Sequence, residues 1–115
     1  MHQDPTLQYW GSLDPEFQPY VAYFINQARA AGMPLVIISG RRSSVVNQEV
    51  GGAERSLHLY GWAFDTQVQN YTRDQVPMQW WLALGQFWES MGGRWGGRFN
   101  PPDVNHFDAG YAAQV

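Results

Sequence analysis

The stretch "SLHLYGWAFD", residues 56–65, sets His58 seven positions ahead of Asp65 in a run of bulky apolar groups broken by one glycine. A histidine among aromatics is more often a hydrogen-bonded packing group than a ligand, and a nearby aspartate often does no more than satisfy its ring N–H. The pair alone therefore decides nothing. A second segment, "DVNHFD", residues 103–108, repeats the combination, with Asp103 three positions before His106 and Asp108 two after it.

The chain has 115 residues and three histidines, His2, His58 and His106. His2 lies in a start expected to fray and receives no role. There is no cysteine, so any metal must be held by imidazole and carboxylate groups. Catalytic zinc is commonly bound by three protein ligands with water in the fourth position, and two histidines with one carboxylate form an accepted set. His58, Asp65 and His106 supply such a set, which leaves Asp103 to act as general base.

Outward from these segments, the apolar periodicity gives a coarse fold. Phe17, Val21, Phe24, Ile25 and Ala28 predict a first helix over roughly 15–31, with Asp14 and Pro15 as start signals, Gly32 as a stop, and Pro19 delaying its regular part. "MPLVIIS", 33–39, reads as a buried strand, followed by a turn and a brief helix after Ser43 that ends at Gly51 and Gly52. "GWAFDTQV", 61–68, is β-prone, which places Asp65 on a strand with His58 on its approach. Trp80, Leu84, Phe87, Trp88 and Met91 predict one helix over 73–91 closed by Gly92 and Gly93. A glycine- and proline-rich loop with a short strand and a closing strand at "HFDAGY" complete the chain. The expectation is a single domain over 1–115, of α+β class, with a small antiparallel sheet packed against helices.

Composition narrows the function. All seven basic side chains are arginine and the net charge is −3 with pI near 5.4, so the basic excess that drives phosphate-backbone binding is missing and no nucleic-acid partner is expected. No run approaches the roughly 20 apolar residues of a spanning helix, and the start has neither a basic nor an apolar signal region. No membrane insertion and a monomer are expected. The tryptophans on the 73–91 stripe are read as core, and Trp95, in the loop before Asp103, is the aromatic placed most readily beside a cleft and its substrate.

The ordered set of motifs resembles a known superfamily. "SLHLYGWAFD" is similar to the S-x-H-x-x-G-x-A-x-D signature of the D-alanyl-D-alanine carboxypeptidases, which include VanX-like and VanY-like enzymes, phage L-alanyl-D-glutamate peptidases and the hedgehog zinc domain. Ser56, His58, Gly61, Ala63 and Asp65 match all five fixed positions. "SGRRS" resembles the family's S-G-aromatic-R-S strand end, "MGGRWGGRF" its glycine-tryptophan segment, and "DVNHFD" its closing acid-x-x-His-aromatic-acid pattern.

The resemblance implies a hedgehog/D,D-peptidase-like fold and Zn2+ held by His58, Asp65 and His106, with Asp103 as catalytic base. Arg42 is placed to stabilise developing negative charge, and Ser56 lines the substrate site. Arg41 stands where the family carries an aromatic, so either Arg41 or Arg42 faces the substrate, since strand alternation allows only one. The closing acid, often Glu in the family, is Asp108.

The implied activity is zinc-dependent cleavage of peptidoglycan stem peptides, at the L-alanyl-D-glutamate bond, in endolysin-like wall lysis. The alternatives are a D,D-carboxypeptidase or dipeptidase, a non-catalytic zinc-bearing module, and a virion component. A protein made in a host cytoplasm without a signal peptide and acting on the wall after release, or carried in a virion, is the implied location.

Overall fold

Two strands far apart in sequence carry the chemistry, and the rest of the fold holds them together. The computed structural model describes residues 4–43 and 57–110. In chain order it contains helices α1 (Thr6–Gly11) and α2 (Gln18–Ala30), strand β1 (Leu35–Ser39), a 3-10 turn (Leu57–Tyr60) and strand β2 (Ala63–Val68). A second 3-10 turn (Arg73–Gln75), helix α3 (Met78–Ser90), strand β3 (Arg94–Trp95), a third 3-10 turn (Gly96–Arg98) and strand β4 (His106–Asp108) follow. The strands form one antiparallel sheet in the order β1-β2-β4-β3. The α+β class and the small antiparallel sheet are as the sequence implied. The brief helix expected after Ser43, and Ser56 itself, lie outside the described residues.

Helix α2 buries Val21, Phe24, Ile25 and Ala28, the i, i+3, i+4, i+7 stripe read from the sequence. It starts at Gln18 rather than near residue 15, with Pro19 in its first turn, where a missing amide costs no helical bond. Helix α1 was not foreseen. It has six residues and buries none of them, and it is anchored by tertiary bonds instead: Gln18 Nε2 donates to the Trp10 and Leu13 carbonyls, and Thr6 Oγ1 accepts the Ile37 amide from the open edge of β1.

The expected helix over 73–91 is divided. Val76 and Pro77 are extended, so a short 3-10 turn capped by Thr72 and Gln75 precedes α3; proline has no amide to bond backward and pushes its predecessor out of helical space. The buried positions of α3 are Trp81, Leu84, Gly85 and Trp88. Trp81 thus joins the core, whereas Trp80, Phe87 and Met91 pack against its margin.

The core lies between α2, α3 and one face of the sheet. Phe24 meets Phe107 at 4.9 Å and Trp88 at 5.1 Å between ring centroids, and Phe64 meets Trp88 at 5.3 Å and Phe107 at 5.6 Å. These tilted, edge-on and offset contacts are the arrangements aromatic quadrupoles favour. Gly85 makes room for it: a Cβ there would stand 2.1 Å from the Trp95 ring.

Candidate metal centre

Strand alternation separates packing from chemistry. Along β2, Phe64 and Val68 enter the core, which leaves Ala63 and Asp65 on the opposite face. Strand β4 pairs with β2 so that Phe64 faces Phe107, Asp65 faces His106 and Ala63 faces Asp108. One register therefore brings two apolar rings together on one side and an aspartate and a histidine on the other.

His58 arrives from the 3-10 turn just before β2 and is 1% exposed. Its Nδ1 lies 2.8 Å from the Gly40 carbonyl. Because a carbonyl only accepts, Nδ1 carries a proton and Nε2 is the nitrogen turned toward the cluster. That Nε2 is buried and faces Asp65 Oδ2 at 3.3 Å. His106 is arranged in the opposite sense: Nε2 is 2.6 Å from Asp108 Oδ2, and Nδ1 faces Asp65 Oδ1 at 3.1 Å. Arg42 Nη2 completes the surroundings, 3.5 Å from Asp65 Oδ2.

The donor set fits a metal. One ligand atom from each of His58, Asp65 and His106 lies within 4.8 Å of the others. The imidazole nitrogens stand 3.3 Å from Asp65 Oδ2 for His58 and 3.1 Å from Asp65 Oδ1 for His106, one carboxylate oxygen each. Hydrogen bonds and charge hold the cluster together. Burial pushes the Asp65 carboxyl up, but hydrogen bonds from His106 and His58 and their positive charge outweigh it and hold the group well below the carboxylate range. Burial pulls His106 down, but hydrogen bonds to Asp108 and Asp65 and their charges carry it to about 9.

The other residues singled out in the sequence fall into three groups. Arg42 reaches the cluster, whereas Arg41 is turned to the protein: its Nε donates to the Ser12 carbonyl and its Nη2 to the Tyr60 carbonyl, each at 3.2 Å. Arg42 is thus the arginine that stands at the cluster, and Arg41, for which a place beside substrate was the other expectation, braces Ser12 against the His58 turn. Trp95 is also corrected. It is 3% exposed, and its indole donates to the Val104 carbonyl at 2.7 Å, so its ring is packed where a place beside substrate was expected. Asp103 is half-exposed, next to Arg73 at 3.5 Å, and its backbone is tied in by bonds from Asp103 N to Gly96 O and from His106 N to Asp103 O. Gly96 permits this, since a Cβ there would stand 2.2 Å from the Asp103 carbonyl oxygen.

Sequence reasoning missed the support behind the candidate donors. Asp108 is fully buried and accepts two hydrogen bonds from Arg94 Nε, one from Arg94 Nη2 and one from the Gly110 amide, besides the contact with His106. Its place two positions after His106 on a strand was the available signal, since it puts both side chains on one face.

A fold of helices backing a small antiparallel sheet, with a His–Asp–His cluster on its open face, is that of a zinc metallopeptidase. Residues 11–83, well over half of the chain, match the family model described as Peptidase M15, and the chain belongs to that family. Among solved structures it is similar to the Serratia marcescens L-Ala D-Glu endopeptidase ChiX, with TM-score 0.70 and 21% identity over 98% of this chain and 92% of that one. It is also similar to the vancomycin-resistance D,D-pentapeptidase VanY, an E175A mutant in complex with Zn(II), with TM-score 0.68 and 16% identity over 88% of this chain and 75% of that one. No curated protein sequence matches the chain. The family match ends before His106, so the third donor is placed in the cluster by the fold.

Proposed function

We propose that this protein hydrolyses peptidoglycan stem peptides at the L-alanyl-D-glutamate bond, in wall lysis of the endolysin type, with zinc held by His58, Asp65 and His106. The observation that carries the reading is the convergence of those three donors with Arg42 on a fold shared with an L-Ala D-Glu endopeptidase over nearly the full length of both chains.

Zinc, when bound, supplies a Lewis acid for the scissile carbonyl and makes water acidic enough to lose a proton near neutral pH. Asp103, half-exposed beside Arg73, would be the group that takes a proton from the attacking water and returns it to the leaving amine. Arg42 presents a permanent charge to the oxygen that becomes negative in the transition state. His58 and His106 would offer the ion the nitrogens that face Asp65, because the Gly40 carbonyl and the Asp108 carboxylate hold the other ring nitrogens.

The test is digestion of purified peptidoglycan by wild type and Asp103→Ala, with mass spectrometry of the released peptides. Fragments with a new amino-terminal D-glutamate from wild type, and turnover about 10²- to 10⁴-fold lower in the zinc-loaded variant, are expected. Unchanged turnover in the variant overturns the base assignment. Release of free D-alanine alone assigns the protein to D,D-carboxypeptidases instead.

A further inference from the structure

Behind His106 stands a second, fully built layer of charge. Asp108 is 0% exposed and its two oxygens meet only donors. Oδ1 accepts from Arg94 Nε at 2.9 Å and from the Gly110 amide at 2.8 Å, and Oδ2 accepts from Arg94 Nη2 at 2.7 Å and lies 2.6 Å from His106 Nε2. The two residues of the clamp come from neighbouring strands whose register puts Arg94 opposite Asp108. On its other side the Arg94 guanidinium covers the Phe99 ring at 4.8 Å, and Phe99 in turn lies 5.4 Å from the His106 ring. Arg94, Phe99 and Asp108 thus enclose His106 on the sides away from Asp65.

We propose that Arg94 and Asp108 are positioning residues for the metal: together they hold His106 by its Nε2 proton, so that Nδ1, the nitrogen that faces Asp65, is the one offered to the ion. The inference rests on the reading of His58, Asp65 and His106 as zinc ligands. A carboxylate has no proton to give, so Nε2 must be the donor in the 2.6 Å contact. Arg94 removes the remaining freedom, since its fork takes both Asp108 oxygens and a carboxylate so held cannot rotate away from the imidazole. Desolvation adds to the constraint, because a buried carboxylate without its arginine would be an uncompensated charge.

An isosteric change shows the logic. In Asp108→Asn, either orientation of the amide points an NH2 group at existing donors: toward Arg94 Nε and Gly110, or toward Arg94 Nη2 and His106. The second orientation is relieved only if His106 Nε2 becomes an acceptor, which sends the ring proton to Nδ1 and blocks metal ligation. The variant should therefore bind zinc about 10- to 100-fold more weakly while keeping its shape. Arg94→Gln, which leaves the carboxylate in place without its fork, should weaken zinc by a smaller factor, and Arg94→Lys less again.

The experiment measures zinc affinity by competition with a chromogenic chelator for wild type, Asp108→Asn, Arg94→Gln, Arg94→Lys and His106→Ala, with circular dichroism as a check on folding. It also records the imidazole N–H region of the proton NMR spectrum of the zinc-loaded wild type. The expected result is the graded loss above, together with a protected downfield His106 Nε2–H resonance in wild type. If wild type binds no zinc, or His106→Ala binds it as tightly, the metal-site reading itself fails. If wild type binds and His106→Ala does not, yet folded Asp108→Asn and Arg94→Gln match wild type within twofold, the ligands stand and the positioning role is overturned. Should the variants not fold, the wild-type spectrum decides: absence of a protected Nε2–H overturns the proposal.

Discussion

The two faces of one sheet are built on opposite terms. On the inner face Phe64 and Phe107 are fully buried, meet as stacked rings at 5.6 Å, and have no directional demand beyond shape. On the outer face, the neighbouring positions Asp65, His106 and Asp108 are held by hydrogen bonds of 2.6–3.1 Å whose donors and acceptors must all be correct. The two sets interleave along the same six residues of β2 and three of β4, so strand period alone separates a tolerant apolar layer from an exacting polar one. Changes on the outer face should be read in metal and turnover, and changes on the inner face in stability.

The largest expected effect is on the outer face. His58→Ala and His106→Ala should each lose stoichiometric zinc by elemental analysis and bring peptidoglycan release to background, because two donors do not retain the ion at catalytic concentration. Full zinc occupancy in either variant would break the division. On the inner face, Phe107→Ala should cost about 3–5 kcal/mol in chemical denaturation, and the fraction still folded should keep its zinc. A Phe107 variant with wild-type stability would show that the aromatic layer is not what holds β4 in place.

A third test joins the two faces through pH. In the metal-free protein the His106 pKa is raised from its ordinary 6.5 to about 9 by Asp108 and Asp65 against the pull of burial. A raised imidazole favours the folded state while it is protonated, so its contribution is complete below about pH 6.5 and is lost as pH climbs through 9. Denaturation in the presence of a chelator should show stability falling across that window by at most roughly 3 kcal/mol; a flat or rising profile would contradict the protonated cluster. The smallest effect is expected at Gly85→Ala, where a methyl would meet the Trp95 ring. It should cost about 1–3 kcal/mol, seen as a lower Tm with zinc content unchanged.

Much of this arrangement was legible before any coordinates. The stripe Val21, Phe24, Ile25 and Ala28 reports α2 because a 3.6-residue period is local information. Spacing and residue type brought out His58, Asp65 and His106 as a ligand set, and the structure puts their donor atoms within 4.8 Å. What escaped was decided by partners distant in sequence. Helix α1 depends on Gln18 and on the β1 edge, and Trp81 enters the core because Pro77 resets where α3 begins. From sequence alone Trp95 is a loop aromatic, yet the glycines at 85 and 97 open a slot for its indole.

By itself the sequence determined the kinds of element, the α+β class and the donor types available to a metal, since periodicity, turn residues and the absence of cysteine act within a few positions or over the whole composition. The tertiary structure decided which nitrogen of each histidine faces Asp65, that Arg42 and not Arg41 stands at the cluster, and that Arg94 backs Asp108. Those outcomes depend on strand register and on carbonyls and carboxylates brought from up to 41 residues away, and a short-range pattern holds no information about which partner a side chain will meet across a sheet.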